Sequence, residues 1–291
     1  MGSLLKRFFA MLALMVLLLA DCASPQPAQI AATTLPVYDF TSRLCQGTGL
    51  TVTRLVTEQV SCLHDYSLNV RQVKAAEAAQ AIVISGAGLE DFMEDLLADK
   101  AIDASQDIPL LCGEAHHQEE HPDHHHPQDP HIWLSPENAQ RMAQNICQGL
   151  SQEFPQYRDI FEKNLPDLLA DLQALQDYGE EQLEHLSCRE LITFHDGFAY
   201  FAQAFDLHIA QAVEEESGSE ASAQELIALC NLVRSRRLPA LFTERSGSTS
   251  AAGIIGRETG ASVYTLDMAM AGDSYFAAMY QNIDTLKEAL Q

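Results

Sequence analysis

The sequence is poor in positive charge. Only 17 of its 291 residues are Lys or Arg, against 41 Asp and Glu, so the formal net charge is −24. This balance argues against nucleic acid and anionic membrane surfaces as partners, and it favours the attraction of cations. A well-hydrated soluble surface would produce the same composition. The hydrophobic fraction of 47% supports packed cores rather than disorder.

The sequence also lacks an apolar run of membrane-spanning length. The longest run, residues 8–20, falls short of the roughly 20 residues that a spanning helix needs. Lys6 and Arg7 precede it, which indicates an export signal over residues 1–22. The signal ends in Leu-Ala-Asp-Cys, which resembles a bacterial lipobox with Cys22 as the lipid-bearing residue, although Asp21 stands where Gly, Ala or Ser is usual. Residues 23–28 are then predicted to form a tether.

Two common zinc motifs are missing. There is no Cys-x-x-Cys pair, which argues against a thiolate zinc site, and there is no His-Glu-x-x-His helix of the metalloprotease type. In an exported chain the remaining cysteines are free to form disulfides, and several of them sit in apolar helical patterns where a buried thiol is ordinary. The pairing stays open for Cys45, Cys62, Cys112, Cys147, Cys188 and Cys230.

Short apolar strands alternate with amphipathic helices after residue 28. Strands are predicted at residues 29–33, 50–56, 82–85, 190–194, 207–213, 240–243 and 262–266. This alternation predicts an α/β fold with parallel sheets flanked by helices. Residues 155–186 carry apolar residues at helical spacing with almost no turn signals, which predicts a long helix. We therefore predict two lobes, residues 29–150 and 187–291, joined by a backbone helix within residues 151–186.

Cap residues support several of the predicted helices. Ser135 precedes Pro136 as an N-cap, and Ser222 with Glu225 forms a capping box. A further helix, ending near Lys100, is predicted to follow the glycines that end the strand at residues 82–85.

Histidine is concentrated in one loop, residues 114–129, between the predicted strands and the helix at Pro136. Imidazole is a common ligand of borderline transition metals, so this crowding indicates an accessory metal-collecting segment. A polar loop with opportunistic metal affinity is the alternative. The histidines concerned are His116, His117, His121, His124, His125 and His126.

Four further residues fall where ligands bind in open parallel sheets, beyond the carboxyl ends of strands. They are His64, His131, His195 and Asp267. Three neutral imidazoles and one carboxylate make a tetrahedral set suited to Zn²⁺. A single histidine after a strand is usually a surface or capping residue, and Asp267 alone is consistent with a turn cap. The four residues together, at equivalent topological positions, favour a metal site.

Two other histidines, His185 and His208, are interpreted as structural. His185 lies in the connecting helix and His208 inside a strand pattern. Glu244 and Arg245 follow the strand at residues 240–243, where they are expected to form charged contacts across the cleft or an ordinary surface salt bridge.

Several segments closely resemble the zinc-binding members of the cluster A solute-binding proteins of bacterial ABC importers. They are HDYSLNVRQVKAAEAA, DPHIWLSPENAQRMAQNI, ITFHDGFAYFAQAFDL, FTERSGSTSAAGIIGRETG and LDMAMAGDSYFAAMYQNIDTLKEAL. They occur in family order over nearly the whole mature chain. The resemblance implies two α/β lobes, a long backbone helix and one metal ion in the interlobe cleft.

By the same resemblance, His64, His131, His195 and Asp267 take the ligand positions. Manganese-specific relatives typically place Glu where this chain has His195, so the resemblance favours zinc. Some zinc relatives carry an acidic residue just before the first histidine, where this chain has Leu63. This departure leaves Asp267 or a water as the fourth ligand. The family also places a histidine-rich loop before the second ligand.

The expected function is high-affinity Zn²⁺ capture outside the cytoplasmic membrane and delivery to an ABC permease and its ATPase. The expected protein is a non-enzymatic monomer with no nucleic-acid partner. It is held at the outer face of the cytoplasmic membrane if Cys22 is lipidated, or is otherwise periplasmic. A manganese-binding homologue or adhesin of the same fold is the first alternative. A zinc hydrolase is the remote one, since three histidines and an open position would suit metal-activated water.

Overall fold

The strands form two separate sheets of four parallel strands each. The computed structural model describes residues 29–60, 63, 66–111, 128–213 and 222–291. Its strands are β1 (Gln29–Ala32), β2 (Thr51–Arg54), β3 (Ala81–Ile84), β4 (Ala101–Asp103), β5 (Glu190–Thr193), β6 (His208–Ala212), β7 (Ala240–Glu244) and β8 (Ser262–Leu266). The strand orders are β2-β1-β3-β4 and β6-β5-β7-β8, so the second sheet repeats the topology of the first. The predicted fold of two α/β lobes is confirmed.

Helices flank both sheets, and two of them begin at the predicted caps. The α-helices are α1 (Leu35–Leu44), α2 (Val70–Ala78), α3 (Glu94–Leu97), α4 (Pro136–Glu153), α5 (Arg158–Leu183), α6 (Ala199–Ala204), α7 (Ala223–Arg236), α8 (Ser250–Thr259) and α9 (Tyr275–Leu290). Ser135 Oγ accepts the Asn138 amide at 3.3 Å at the start of α4. The capping box of Ser222 and Glu225 starts α7.

One predicted helix and one strand differ from expectation. The helix ending near Lys100 is broken into two 3-10 turns around the four-residue α3. Ala98, which follows α3, adopts a positive φ of 37° that a continuous helix does not allow. Directly after it comes β4, which the sequence pattern did not indicate. A three-residue edge strand is too short to produce a periodic signal, and it is defined only by its pairing with β3.

Helix α5 lies between the lobes and packs on both. Its 26 residues span about 39 Å, and the helix runs through Pro166. Its buried residues, Phe161, Leu168, Leu172 and Leu175 among them, belong to one hydrophobic core that contains residues from both sheets and from α9. This shared core fixes the lobes against each other along one side.

Hydrogen bonds to the backbone also join the lobes directly. The Leu35 amide donates to the Met270 carbonyl at 3.1 Å, and Arg54 Nη1 donates to the Gly272 carbonyl at 2.7 Å. Both acceptors lie in the loop between β8 and α9. The carboxyl end of β8 therefore stands close to that of β1 and β2.

The described cysteines are free thiols. Cys45, Cys147 and Cys230 are buried, as expected for thiols in apolar patterns, and Cys188 is partly buried. Burial raises the pKa of the Cys45 thiol to about 12, so this thiol is unreactive. Within the ranges given above, no helix has both the length and the apolar character needed to cross a membrane. The export signal, the tether, Cys22, Cys62 and Cys112 lie outside the described residues.

Candidate metal centre

His131 is buried and held in one orientation by its own loop. It follows Pro130 and precedes the 3-10 turn Ile132–Leu134 that leads into α4, and it is only 4% exposed. Asp129 Oδ1 accepts two hydrogen bonds, from the His131 amide at 2.9 Å and from ring Nδ1 at 2.8 Å. A carboxylate oxygen only accepts, so Nδ1 carries the proton and the lone pair of Nε2 remains for a metal ion.

His195 meets His131 from the other lobe. It follows β5, and its ring centroid lies 5.3 Å from that of His131, with the ring planes at 87°. Strand β5 stands beside β7 at the point where the order of the second sheet reverses, which is where open α/β sheets bind ligands. The two lobes thus bring two imidazoles together at the cleft.

Glu244 adds a carboxylate beside His195. It is the last residue of β7, its side chain is 3% exposed, and its Oε2 lies 3.9 Å from His195 Nδ1. That distance is too long for a hydrogen bond, so this oxygen lies beside the ring without accepting a hydrogen bond from its Nδ1.

Gly197 leaves the space that the His195 ring occupies. A Cβ at this position would lie 2.7 Å from His195 Cδ2 and 2.7 Å from Met268 Cε. Non-bonded carbon atoms do not approach this closely, so a side chain here would displace both the ring and the methionine. The same contacts show that His195 lies beside the loop that begins with Asp267.

Asp267 follows β8 directly, and both of its carboxylate oxygens accept hydrogen bonds. Arg245 Nε donates to Oδ2 at 2.7 Å, and the Ala269 amide donates to Oδ1 at 2.8 Å. Asn282 holds the Asp267 backbone by accepting from its amide at 2.8 Å and donating to its carbonyl at 2.7 Å. The carboxylate therefore has a fixed orientation with a guanidinium at one oxygen.

Of the two alternatives for Glu244 and Arg245, the salt bridge is what the structure shows for Arg245, whose partner is Asp267. Glu244 lies near His195, and both His195 and Asp267 belong to the second lobe. The reason is the strand order, which sets β7 between β5 and β8 and so places the residues after these three strands side by side.

Hydrogen bonds tie the loops of the site to one another. Trp133 Nε1 donates to the Met268 carbonyl at 2.7 Å, and the Tyr275 hydroxyl donates to the Trp133 carbonyl at 2.7 Å. The Tyr200 hydroxyl donates to the Asp129 carbonyl at 3.0 Å. A small pocket between Gln59 and Val60 of the first lobe and the residues after β7 and β8 opens beside these loops. These hydrogen bonds hold the loops of the candidate site in fixed positions.

The structure describes three of the four predicted ligands. It brings His131 and His195 together, and it places Asp267 in the neighbouring loop against Arg245. His64 and the six loop histidines lie outside the described residues. In the part of the chain that is described, no three His, Cys, Asp or Glu residues group closely enough to hold a metal ion. The four-ligand set therefore remains a prediction.

Sequence reasoning missed two residues of the site. Asp129, two residues before His131, had a local signal, because an Asp-x-His segment places a carboxylate within reach of the ring. Gly197 had none, since its need for space depends on packing against another loop. His185 and His208 are exposed and stand apart from the site, as expected.

Two sheets of matching order, a long helix between them and paired histidines at the cleft define a cluster A solute-binding protein. The chain belongs to the ZnuA family, described as zinc-uptake complex component A, periplasmic, whose profile matches residues 30–289. The family resemblance predicted from the sequence motifs is confirmed.

Individual relatives span different metals. The chain is 28% identical to the zinc-binding lipoprotein AdcA of Streptococcus pneumoniae over 98% of its length, and it spans 61% of AdcA. It is 29% identical to a putative metal-binding protein of Treponema pallidum, covering 96% of this chain and 95% of that one. It is 25% identical over its whole length to the manganese lipoprotein PsaA of Streptococcus anginosus, covering 98% of PsaA.

A crystal structure of ZnuA shares the fold. It superposes with a TM-score of 0.79 at 31% identity and covers 91% of this chain and 100% of the ZnuA chain. The agreement extends over both lobes and the helix between them.

Proposed function

We propose that this protein captures Zn²⁺ with high affinity outside the cytoplasm and delivers it to the permease of an ABC importer. The observation that carries the proposal is the pair of imidazoles, His131 and His195, presented 5.3 Å apart by different lobes. The Asp129 contact fixes the His131 tautomer in which Nε2 is available to a metal. Membership of the zinc-uptake family supports the same cargo.

The proposed ligands are His64, His131, His195 and Asp267. His64 and His131 belong to the first lobe, whereas His195 and Asp267 belong to the second. An ion bound by all four residues would therefore cross-link the lobes. Since the lobes already share a core and several hydrogen bonds, release requires the permease to disturb at least one ligand rather than to separate the lobes.

Manganese is the alternative cargo, because a relative covering the whole chain is named for it. Two imidazoles at the site favour the borderline Zn²⁺ over the harder Mn²⁺, which is better served by carboxylate, carbonyl and water oxygens. Competition between the two ions for the metal-free protein distinguishes the alternatives.

The test is a titration of metal-free protein with zinc against a chromophoric chelator. The expected result is one tight site, which is lost in His131→Ala and in His195→Ala. His185→Ala is the matched control, because His185 is 86% exposed and should leave the tight site unchanged. A tight site that survives both ligand substitutions would show that the assignment is wrong.

The same titration tests the histidine-rich loop, which we propose collects zinc weakly and passes it to the cleft or senses it. Deleting residues 116–126 should remove the weaker sites and keep the tight one. Zinc affinity should also fall as the pH drops below about 6.5, since a protonated imidazole cannot coordinate.

We further propose export, with lipid attachment at Cys22 to the outer face of the cytoplasmic membrane, or a periplasmic location without it. Relatives named as lipoproteins support lipid attachment at Cys22. We propose a monomer with no catalytic activity. Steady turnover of a test ester or peptide by the zinc-loaded protein would instead favour the hydrolase alternative.

A further inference from the structure

We infer that Arg245 is a specificity-determining residue, which favours Zn²⁺ over Mn²⁺ by holding the carboxylate of Asp267. The inference deepens the proposed function and rests on it. The inference concerns the pair of Arg245 and Asp267. The histidines would bind both ions, so they are not part of it.

The geometry leaves Asp267 little freedom. Its Oδ2 accepts from Arg245 Nε at 2.7 Å and its Oδ1 from the Ala269 amide at 2.8 Å. Gln281 Oε1 accepts from Arg245 Nη2 at 3.3 Å, so the guanidinium is itself held on its far side. A metal ion approaching Asp267 must share its oxygens with these donors or displace Arg245.

The charge of Arg245 acts in the same direction. A guanidinium stays protonated at any physiological pH, and at hydrogen-bond distance it offsets the negative charge that a cation would otherwise meet. The Asp267 side chain is only 14% exposed, whereas that of Arg245 is 46% exposed. Solvent therefore screens the carboxylate poorly, and the positive charge beside it weakens its donor strength toward a metal.

The two ions depend on this carboxylate to different degrees. Imidazoles satisfy most of the coordination that Zn²⁺ requires, and the fourth position can be filled by a water. Mn²⁺ prefers oxygen ligands, so a weakened Asp267 removes a larger part of its binding energy. Arg245 thus lowers manganese affinity more than zinc affinity.

The test compares zinc and manganese dissociation constants of the full-length metal-free protein by chelator competition with ZnCl2 and MnCl2. Arg245→Gln should reduce the ratio of zinc to manganese affinity about three- to tenfold, the range expected for a partly exposed charge pair whose acid is mostly buried. The ratio is the useful readout, because loss of a positive charge also raises the affinity for both cations alike.

Two controls separate selectivity from general effects. Arg236→Gln removes a similarly exposed guanidinium, which pairs with Glu190 at the amino end of β5, away from the site, and should leave the ratio unchanged. In an Asp267→Asn background, Arg245→Gln should also leave it unchanged, because its effect passes through the carboxylate.

An unchanged or increased ratio in Arg245→Gln would overturn the inference, as would an equal effect in the Asp267→Asn background. These outcomes differ from failure of the proposed function. In that case the unsubstituted protein itself would show no tight zinc site.

Discussion

The contact between Asp129 and His131 offers a graded test of how the site is built. Asp129→Asn keeps an oxygen that can accept from both the His131 amide and ring Nδ1, so it removes the charge and preserves the geometry. Asp129→Ala removes the acceptor of both hydrogen bonds and leaves the ring free to turn. The two substitutions therefore separate the effect of charge from that of orientation.

The expected loss of zinc affinity follows from this difference. Removing the partner of a metal-binding histidine typically costs 10- to 100-fold in metal affinity, about 1.4–2.7 kcal/mol. We expect Asp129→Asn to lower zinc affinity by about 10-fold and Asp129→Ala by about 100-fold. The alanine variant should also lose about 1–3 kcal/mol of stability without metal, because the buried Nδ1–H loses its acceptor.

Zinc affinity is measured by chelator competition, and the free energy of unfolding of the metal-free protein by urea denaturation. Asp171→Asn serves as the control for loss of one negative charge. Asp171 is an exposed residue on α5 that pairs with Arg43 on α1. If both Asp129 variants bound zinc as the unsubstituted protein does, Asp129 would have no role in orienting His131.

Two further substitutions test packing and burial. Gly197→Ala should lower zinc affinity by about tenfold or more, because its Cβ would displace the His195 ring, and chelator competition measures the loss. Glu90 is fully buried, and desolvation raises its pKa to about 7. Since this pKa lies above the ordinary value of 4.5, the stability that Glu90 contributes at low pH is lost as the pH rises through 7. The free energy of unfolding should therefore fall by roughly 2–3 kcal/mol between pH 5 and 8, a decline absent from Glu90→Gln.

Each of these predictions has a clear contrary result. Unchanged zinc affinity in Gly197→Ala would show that zinc binding does not require the present position of the His195 ring. For Glu90, urea denaturation of the metal-free protein at several pH values gives the slope of the free energy of unfolding against pH. Equal slopes in the two proteins would show that other groups cause the decline.

Much of the fold was predictable because its signals are local. The strand runs, the caps at Ser135 and Ser222 and the long apolar periodicity of α5 are properties of neighbouring residues, and the structure reproduces them. The exceptions are also instructive. Strand β4 is too short to show a period, and the helix before it is broken by a positive φ at Ala98, which the composition does not indicate.

The candidate ligands were predictable for a related reason. In a parallel sheet the residues that follow the strands gather at one edge, so a histidine or aspartate placed there is marked by position alone. This rule places His195 and Asp267 correctly after β5 and β8. It says nothing of which side chains at that edge touch each other.

The sequence by itself determined the two α/β lobes, the helix between them and the positions of the metal-binding candidates, since these depend on periodicity and on residues a few positions apart. Only the tertiary structure decided that Arg245 holds Asp267, that Glu244 faces His195 and that Gly197 clears space for a ring. The physical reason is strand order. The arrangement β6-β5-β7-β8 sets β7 between its partners, and that order depends on how whole elements pack, which no local pattern encodes.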